Sequence, residues 1–220
     1  MRRIITALIC LFLVTPVSAR AEKYVALTFD DGPSGRFTRQ LLDGLAEREV
    51  KATFLLCGYR IKDYPQEARR IAEEGHEIGL HGYSHRCMAK MTPAQLEKEL
   101  QDTLALLPEG NQPAFLRPPG GKYSQTVIDA AKKAKLGILS WSVDPRDWAS
   151  DDASAIRETV VGTVRDGDVV LLHDMSDSSV EAALSIIDQL TEQGFTFVTA
   201  TELARRKGIT IRPGQVYERF

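Results

Sequence analysis

Side chains able to do acid–base or metal chemistry recur in this chain at one kind of place, where an apolar run stops. LTFDDGPS, residues 27–34, ends such a run in two adjacent carboxylates, Asp30 and Asp31. HGYSH sets His81 and His85 four residues apart, FLRPPGG carries Arg117, DPRDW carries Asp144 and Asp147, and VVLLHD closes on His173 and Asp174. Three of the four histidines in the chain belong to this set.

Two imidazoles four residues apart, joined by one carboxylate, would make a facial set of three protein ligands. Such a set leaves coordination positions open for water, as a catalytic metal requires and a closed structural site does not. The adjacent aspartates then permit a division of labour. One binds the ion and the other accepts a proton from water that a divalent zinc ion acidifies to a pKa of about 7. Taken alone, each motif has a plainer reading: DDGP as a solvated turn, HxxxH as unrelated surface or core histidines, His173 as a core histidine with one hydrogen bond. Beside a metal site, His173 becomes a candidate acid for a leaving group, with its pKa raised by Asp144 or Asp147. Arg117 is a surface cation, or it orients the free aspartate by bidentate pairing. The prolines of FLRPPGG stiffen a loop whose glycines expose backbone N–H groups to an oxyanion. Trp148 is core or the apolar wall of a sugar-sized groove.

The elements that position these residues alternate. Strands are expected at 24–29, 52–56, 77–80, 114–117, 137–143, 168–173 and 195–199, with helices at 37–48, 65–74, 93–106, 125–134, 153–164, 180–193 and 201–207. Runs such as VVLLH suit parallel strands covered on both faces. Thr92 and Pro93 mark a helix start, and Gly75 and Gly194 mark helix stops. Seven βα units imply a parallel α/β fold, open or closed, and in both forms the ligand site lies beyond the carboxyl ends of the strands.

The first 21 residues, with Arg2 and Arg3, an apolar stretch over 4–14 and small residues before Ala19 and Ala21, have the layout of a secretory signal peptide cleaved after one of those alanines. The other reading is an uncleaved N-terminal anchor. Cleavage after Ala19 removes two arginines and takes the formal charge from −2 to −4, which gives no reason to expect nucleic acid or anionic lipid as a partner. The expected location is periplasmic or secreted, without membrane attachment after cleavage. Cys57 and Cys87 then remain, read as small buried residues or as a single disulfide. Residues 209–220 alternate in polarity but contain no motif.

Taken in order, TFDDGP, HGYSH, RPPGG, DPRDW and LLH resemble the five motifs of the NodB-type polysaccharide deacetylases, carbohydrate esterase family 4. The resemblance runs over residues 23–205 and implies a distorted (β/α)7 barrel over 22–208. It implies metal-dependent removal of acetyl groups from N-acetylglucosamine units of a peptidoglycan-like or chitin-like glycan. Position by position it makes Asp30 the base, Asp31, His81 and His85 the metal ligands, Arg117 the partner of Asp30, and His173 the acid tuned by Asp147 or Asp144. Pro119, Gly120, Trp148 and Leu171 would line the substrate pocket. Zinc is the expected ion, with cobalt or manganese as alternatives. Three departures stand out: Gly82 where Ser or Thr is usual, which removes a hydrogen bond steadying the histidine loop; Leu80 where Asn is common; and Gly120 where an aromatic is common. The rival functions are an O-acetyl esterase or amidase using the same constellation, and a non-catalytic sugar-binding module.

Overall fold

The computed structural model describes residues 22–220. The expected signal segment, 1–21, lies outside them. Among the described residues no helix is long and apolar enough to cross a membrane.

All seven expected strands are present: β1 (Lys23–Asp30), β2 (Thr53–Leu56), β3 (Glu77–Leu80), β4 (Phe115–Leu116), β5 (Gly137–Leu139), β6 (Val169–His173) and β7 (Phe195–Phe197). The helices are α1 (Arg36–Glu47), α2 (Gly58–Asp63), α3 (Pro65–Glu73), α4 (Pro93–Leu104), α5 (Gln125–Lys133), α6 (Ala153–Thr163), α7 (Asp177–Glu192) and α8 (Ala200–Arg206). An eighth strand, β8 (Val216–Tyr217), comes from the C-terminal segment to which the sequence assigns no role. Local chemistry marks several helix starts. Thr92 and Gln95 form a reciprocal capping box on α4, and the side chains of Asp152 and Ser176 cap α6 and α7.

The strands run parallel in the order β6-β1-β2-β3-β4-β5-β8, with β7 on β1, and the sheet curls into a distorted barrel with the helices outside. Distortion arises because two strands change neighbours along their length. β1 pairs with β7 at Lys23–Val25 and with β6 from Ala26 to Asp30. The run expected as a single strand over 137–143 pairs with β8 at Ile138 and Leu139, then turns to β6 through a bridge between Val143 and Val170. The tail thus fills the barrel wall between β5 and β6, where Phe220 N donates to Gly167 O just before β6. Tyr217 stacks on Phe220, with ring centroids 5.3 Å apart, and both rings pack against Phe115.

Strand alternation sorts β1 into two faces. Val25, Leu27 and Phe29 face the helices with Leu41 and Leu45 of α1 and Ile186 of α7, whereas Tyr24 and Ala26 join Leu55, Phe115 and Leu139 in a second core. The same alternation sends Thr28 and Asp30 inward, above that second core. A third cluster, including Leu80, Leu96, Leu100 and Leu116, lies under α4 and α5. Leu80, one of the departures noted above, is therefore a core residue paired in register with Leu116.

Candidate active site

Register brings the site together. Asp30 is the register partner of His173 across β1 and β6, and His81 and Arg117 immediately follow the paired residues Leu80 and Leu116. Arg117 is not a surface cation: it is 0 % exposed, and Asp30 only 3 %. Its contact with Asp30 is also not bidentate, because the other donors are committed elsewhere. Nη1 donates to Asp30 Oδ1 (2.7 Å) and Thr28 Oγ1 (2.8 Å), Nε to Leu139 O (3.0 Å) and Nη2 to Ser140 O (2.8 Å). One carboxylate oxygen of Asp30 is thereby fixed, and Oδ2 stays on the side of His81 Nε2, 3.7 Å away.

Asp31 lies past the strand with φ +72°, a left-handed conformation that costs a non-glycine residue about 1 kcal/mol or more. In return its carboxylate comes to the same mouth as Asp30. Asp31 Oδ1 lies 3.2 Å from His81 Nε2 and 2.9 Å from His85 Nε2. His81 Nδ1 is 2.7 Å from Arg117 O. A carbonyl only accepts, so Nδ1 carries the proton, and Nε2 of the neutral ring presents a bare lone pair. That lone pair faces Asp31 Oδ1, a buried atom with no hydrogen-bond partner. Two acceptors in this arrangement call for a cation between them. Burial alone would raise the Asp31 pKa, but the two imidazoles beside its carboxylate hold it well below the usual carboxylate range, and the nearness of Asp31 in turn raises His85. The three donor atoms lie within 4.8 Å of one another and fit a divalent ion that accepts imidazole and carboxylate ligands.

Of the two acids after β5, only Asp147 reaches His173. Its Oδ1 is 2.8 Å from Nδ1, and its Oδ2 accepts the His173 backbone N–H at 2.8 Å. Asp144 instead is exposed and accepts the Arg146 backbone N–H while lining the cleft. Burial works against a charged His173, but the Asp147 hydrogen bond, together with the charges of Asp147, Asp30 and Asp31, pushes it up to about 9. Its Nε2 lies 4.0 Å from Asp31 Oδ2. Behind the site Asp174 is fully buried, bonded to Thr38 Oγ1, and burial pushes its carboxyl up to about 7.

These groups line a cleft of about 390 Å³ whose walls include Gly120, Trp141, Trp148 and Leu171. Trp148 is 61 % exposed, a wall and not core, with the Arg146 guanidinium 5.3 Å from its ring centroid. Pro119 is buried beneath the loop, and Gly120 adopts φ +66° with open space around it. Trp141 had no place in the sequence reading, although an aromatic just past an apolar run was the available signal. Its ring packs against Gly121 and so supplies an aromatic surface beside the position where Gly120 lacks one. The hydrogen bond expected to be missing at Gly82 is made good by Glu99 of α4, which accepts from Tyr83 N (2.7 Å), Ser84 N (2.9 Å) and Ser84 Oγ (2.6 Å). Cys57 is buried and Cys87 half-buried, and both are free thiols. Burial pushes the Cys57 thiol far up and so keeps it unreactive.

A parallel α/β barrel with buried acids and bases gathered at its strand ends has the layout of an enzyme active site. The model of the family described as polysaccharide deacetylase matches residues 18–139, and the chain belongs to that family. The peptidoglycan-N-acetylglucosamine deacetylase of Bacillus cereus is 38 % identical over 192 residues, covering 84 % of this chain and 90 % of the relative. The peptidoglycan-N-acetylmuramic acid deacetylase PdaC of Bacillus subtilis is 35 % identical over 84 % of this chain, which spans only 40 % of that longer protein. Among solved structures, a family 4 acetyl xylan esterase from Clostridium thermocellum in complex with a cobalt ion superposes with TM-score 0.84 at 38 % identity, covering 90 % of this chain and 98 % of the other. The protein is a hydrolase of carbon–nitrogen bonds other than peptide bonds.

Proposed function

We propose that the chain is an exported, metal-dependent deacetylase that hydrolyses the acetamide of N-acetylglucosamine units in a peptidoglycan-like or chitin-like glycan. The observation that carries this reading is the orphaned Asp31 Oδ1 facing two imidazole nitrogens, with a buried carboxylate on one side and a histidine on the other. A divalent ion held by Asp31, His81 and His85, zinc first, would polarise the acetyl carbonyl and acidify a water. Asp30, with one oxygen held by Arg117 and the other free, takes the proton of the attacking water. The backbone N–H of Gly120 faces the oxyanion as the carbonyl carbon becomes tetrahedral. His173, protonated at neutral pH by its pairing with Asp147, gives a proton to the departing amine as the C–N bond breaks. Acetic acid and a free amine result, with one proton taken by Asp30 and one given by His173, and the acid ionises to acetate on release. Leu171 and Trp148 provide apolar surface for the acetyl methyl and a sugar face.

Export rests on the layout of residues 1–21, and N-terminal sequencing of protein recovered from outside the cytoplasm tests it. The second reading is O-deacetylation, favoured by the likeness to an acetyl xylan esterase. An alkoxide leaves more readily than an amide nitrogen, so a histidine kept protonated to about pH 9 suits the amide better. Metal analysis with acetate release from chitin oligomers, peptidoglycan fragments and acetylated xylan separates the two. Asp30→Asn, with its metal still bound, should lose roughly 10²- to 10⁴-fold in rate. Near-normal acetate release by that variant would remove Asp30 from the role of base.

A further inference from the structure

His81 and His85 are held in unequal ways. His81 is fixed by the sheet, through its backbone N–H to Leu56 O (2.9 Å) and its Nδ1 to Arg117 O. His85 lies beyond the strand at φ +55°, its side chain 43 % exposed. Among the described residues no protein group is hydrogen-bonded to its other ring nitrogen. Its position therefore depends on the turn at residues 82–84. The carbonyls of that turn are satisfied from α2, by Gly58 N to Gly82 O (2.9 Å) and Tyr59 N to Tyr83 O (3.0 Å). Its next two N–H groups, of Tyr83 and Ser84, converge on a single oxygen, Glu99 Oε2, while Ser84 Oγ donates to Oε1.

We propose that Glu99 is a positioning residue for the metal site: by gathering the N–H groups of the Gly82–Ser84 turn, it sets where His85 stands relative to His81 and Asp31. This rests on the metal-dependent reading above. Glu99 is 6 % exposed and shares the buried face of α4 with Leu96, Leu100 and Thr103. Packing alone would favour an apolar residue there, and among the described residues the cation paired with it, Arg86, is an exposed arm 3.4 Å away. The carboxylate is instead satisfied by the turn it holds, through short charge-assisted bonds that restrict geometry more than neutral ones do. Gly82 is the counterpart of this arrangement. At φ +81°, a β-carbon there would lie 2.5 Å from Met88 Cε and 3.3 Å from Glu99 Oε2.

Two substitutions separate position from charge. Glu99→Gln keeps the reach, since its carbonyl oxygen accepts both N–H groups and its amide donates to Ser84 Oγ. Glu99→Asp keeps the charge but draws the acceptor back by about 1.5 Å, one bond length. Zinc affinity of the metal-stripped full protein, measured by competition with a chromogenic chelator, is the readout, alongside the melting temperature of the metal-free form. Glu99→Asp should bind zinc about 10- to 100-fold more weakly, the usual effect of disturbing a group behind a metal ligand. Glu99→Gln should recover most of that affinity. Leu96→Ala, on the same buried face, should lower the melting temperature without changing affinity. The proposal is overturned if Glu99→Asp binds zinc as the wild type does, or if all three variants lose affinity in proportion to their loss of melting temperature. It is overturned in a different way if the wild type itself takes up no zinc, since the metal-dependent reading then fails first.

Discussion

Replacing Arg117 by Met removes the guanidinium while keeping most of the buried volume, and its consequences follow from the pairing around it. Asp30, 3 % exposed, would lose the guanidinium paired with it, and stripping one partner from a buried ion pair costs about 3–5 kcal/mol. Leu139 O, Ser140 O and Thr28 Oγ1 would each lose a donor, at up to about 1–3 kcal/mol apiece, less where water or a backbone neighbour takes over. Counting only the ion pair, the melting temperature of this 220-residue chain should fall by about 6–20 °C. The double variant Arg117→Met with Asp30→Asn removes the stranded charge as well, and should be more stable than Arg117→Met alone. Urea denaturation of the four forms, wild type, each single variant and the double, yields the coupling directly. A loss under about 1 kcal/mol in Arg117→Met, or a double variant no more stable than that single one, would show that Arg117 and Asp30 are not coupled as a buried ion pair.

Two further outcomes follow from the ionisation of the histidines. Asp147 raises the pKa of His173, so Asp147→Asn should move the alkaline limb of kcat to lower pH and slow turnover by roughly 10²- to 10⁴-fold, while Asp144→Asn leaves that limb in place; matching limbs in both variants would remove Asp147 from the pair. His76 is held low, at about 4, by burial and by Lys51 and Arg70; its Nδ1 accepts from Ala52 N, and its buried Nε2 has no hydrogen-bond partner among the described residues, Glu74 Oε2 lying 3.8 Å away. Because the unfolded chain binds this proton near pH 6.5, stability should decline as pH falls from about 6.5 toward 4, by a total on the order of 3 kcal/mol. Urea midpoints against pH check this, and His76→Gln should flatten the curve over that window.

The seven main strands were legible because parallel strands covered on both faces read as continuous apolar runs, and VVLLH and TFLL carry little else. The chemical residues were legible for a related reason: a strand must become polar where it leaves the core, and the carboxyl ends share one mouth. What sequence left open was long-range. Asp144 and Asp147 sit three apart in one loop, and only the placement of β6 beside that loop decides which of them reaches His173. β8 is two residues long, and nothing local tells that Gln215 and Tyr217 will accept the N–H groups of Ile138 and Ser140. α2, at six residues, is too short to show a period. Glu99 did leave a trace, an acid at a buried helical position between Leu96 and Thr103, but an amphipathic pattern absorbs one exception without comment.

The paired aspartates show how a local anomaly is resolved by geometry. In an extended strand, neighbours point to opposite faces, so two adjacent carboxylates cannot both serve one site while β1 continues. Alternation sends Asp30 inward over Thr28, where Arg117 bridges both side chains from the neighbouring wall. The left-handed turn at Asp31 then breaks the alternation at the first residue past the strand and brings the second carboxylate round to His81 and His85. The strain at Asp31 is therefore the condition for adjacency: with an ordinary β conformation at 31, the two carboxylates would face opposite sides of the barrel wall.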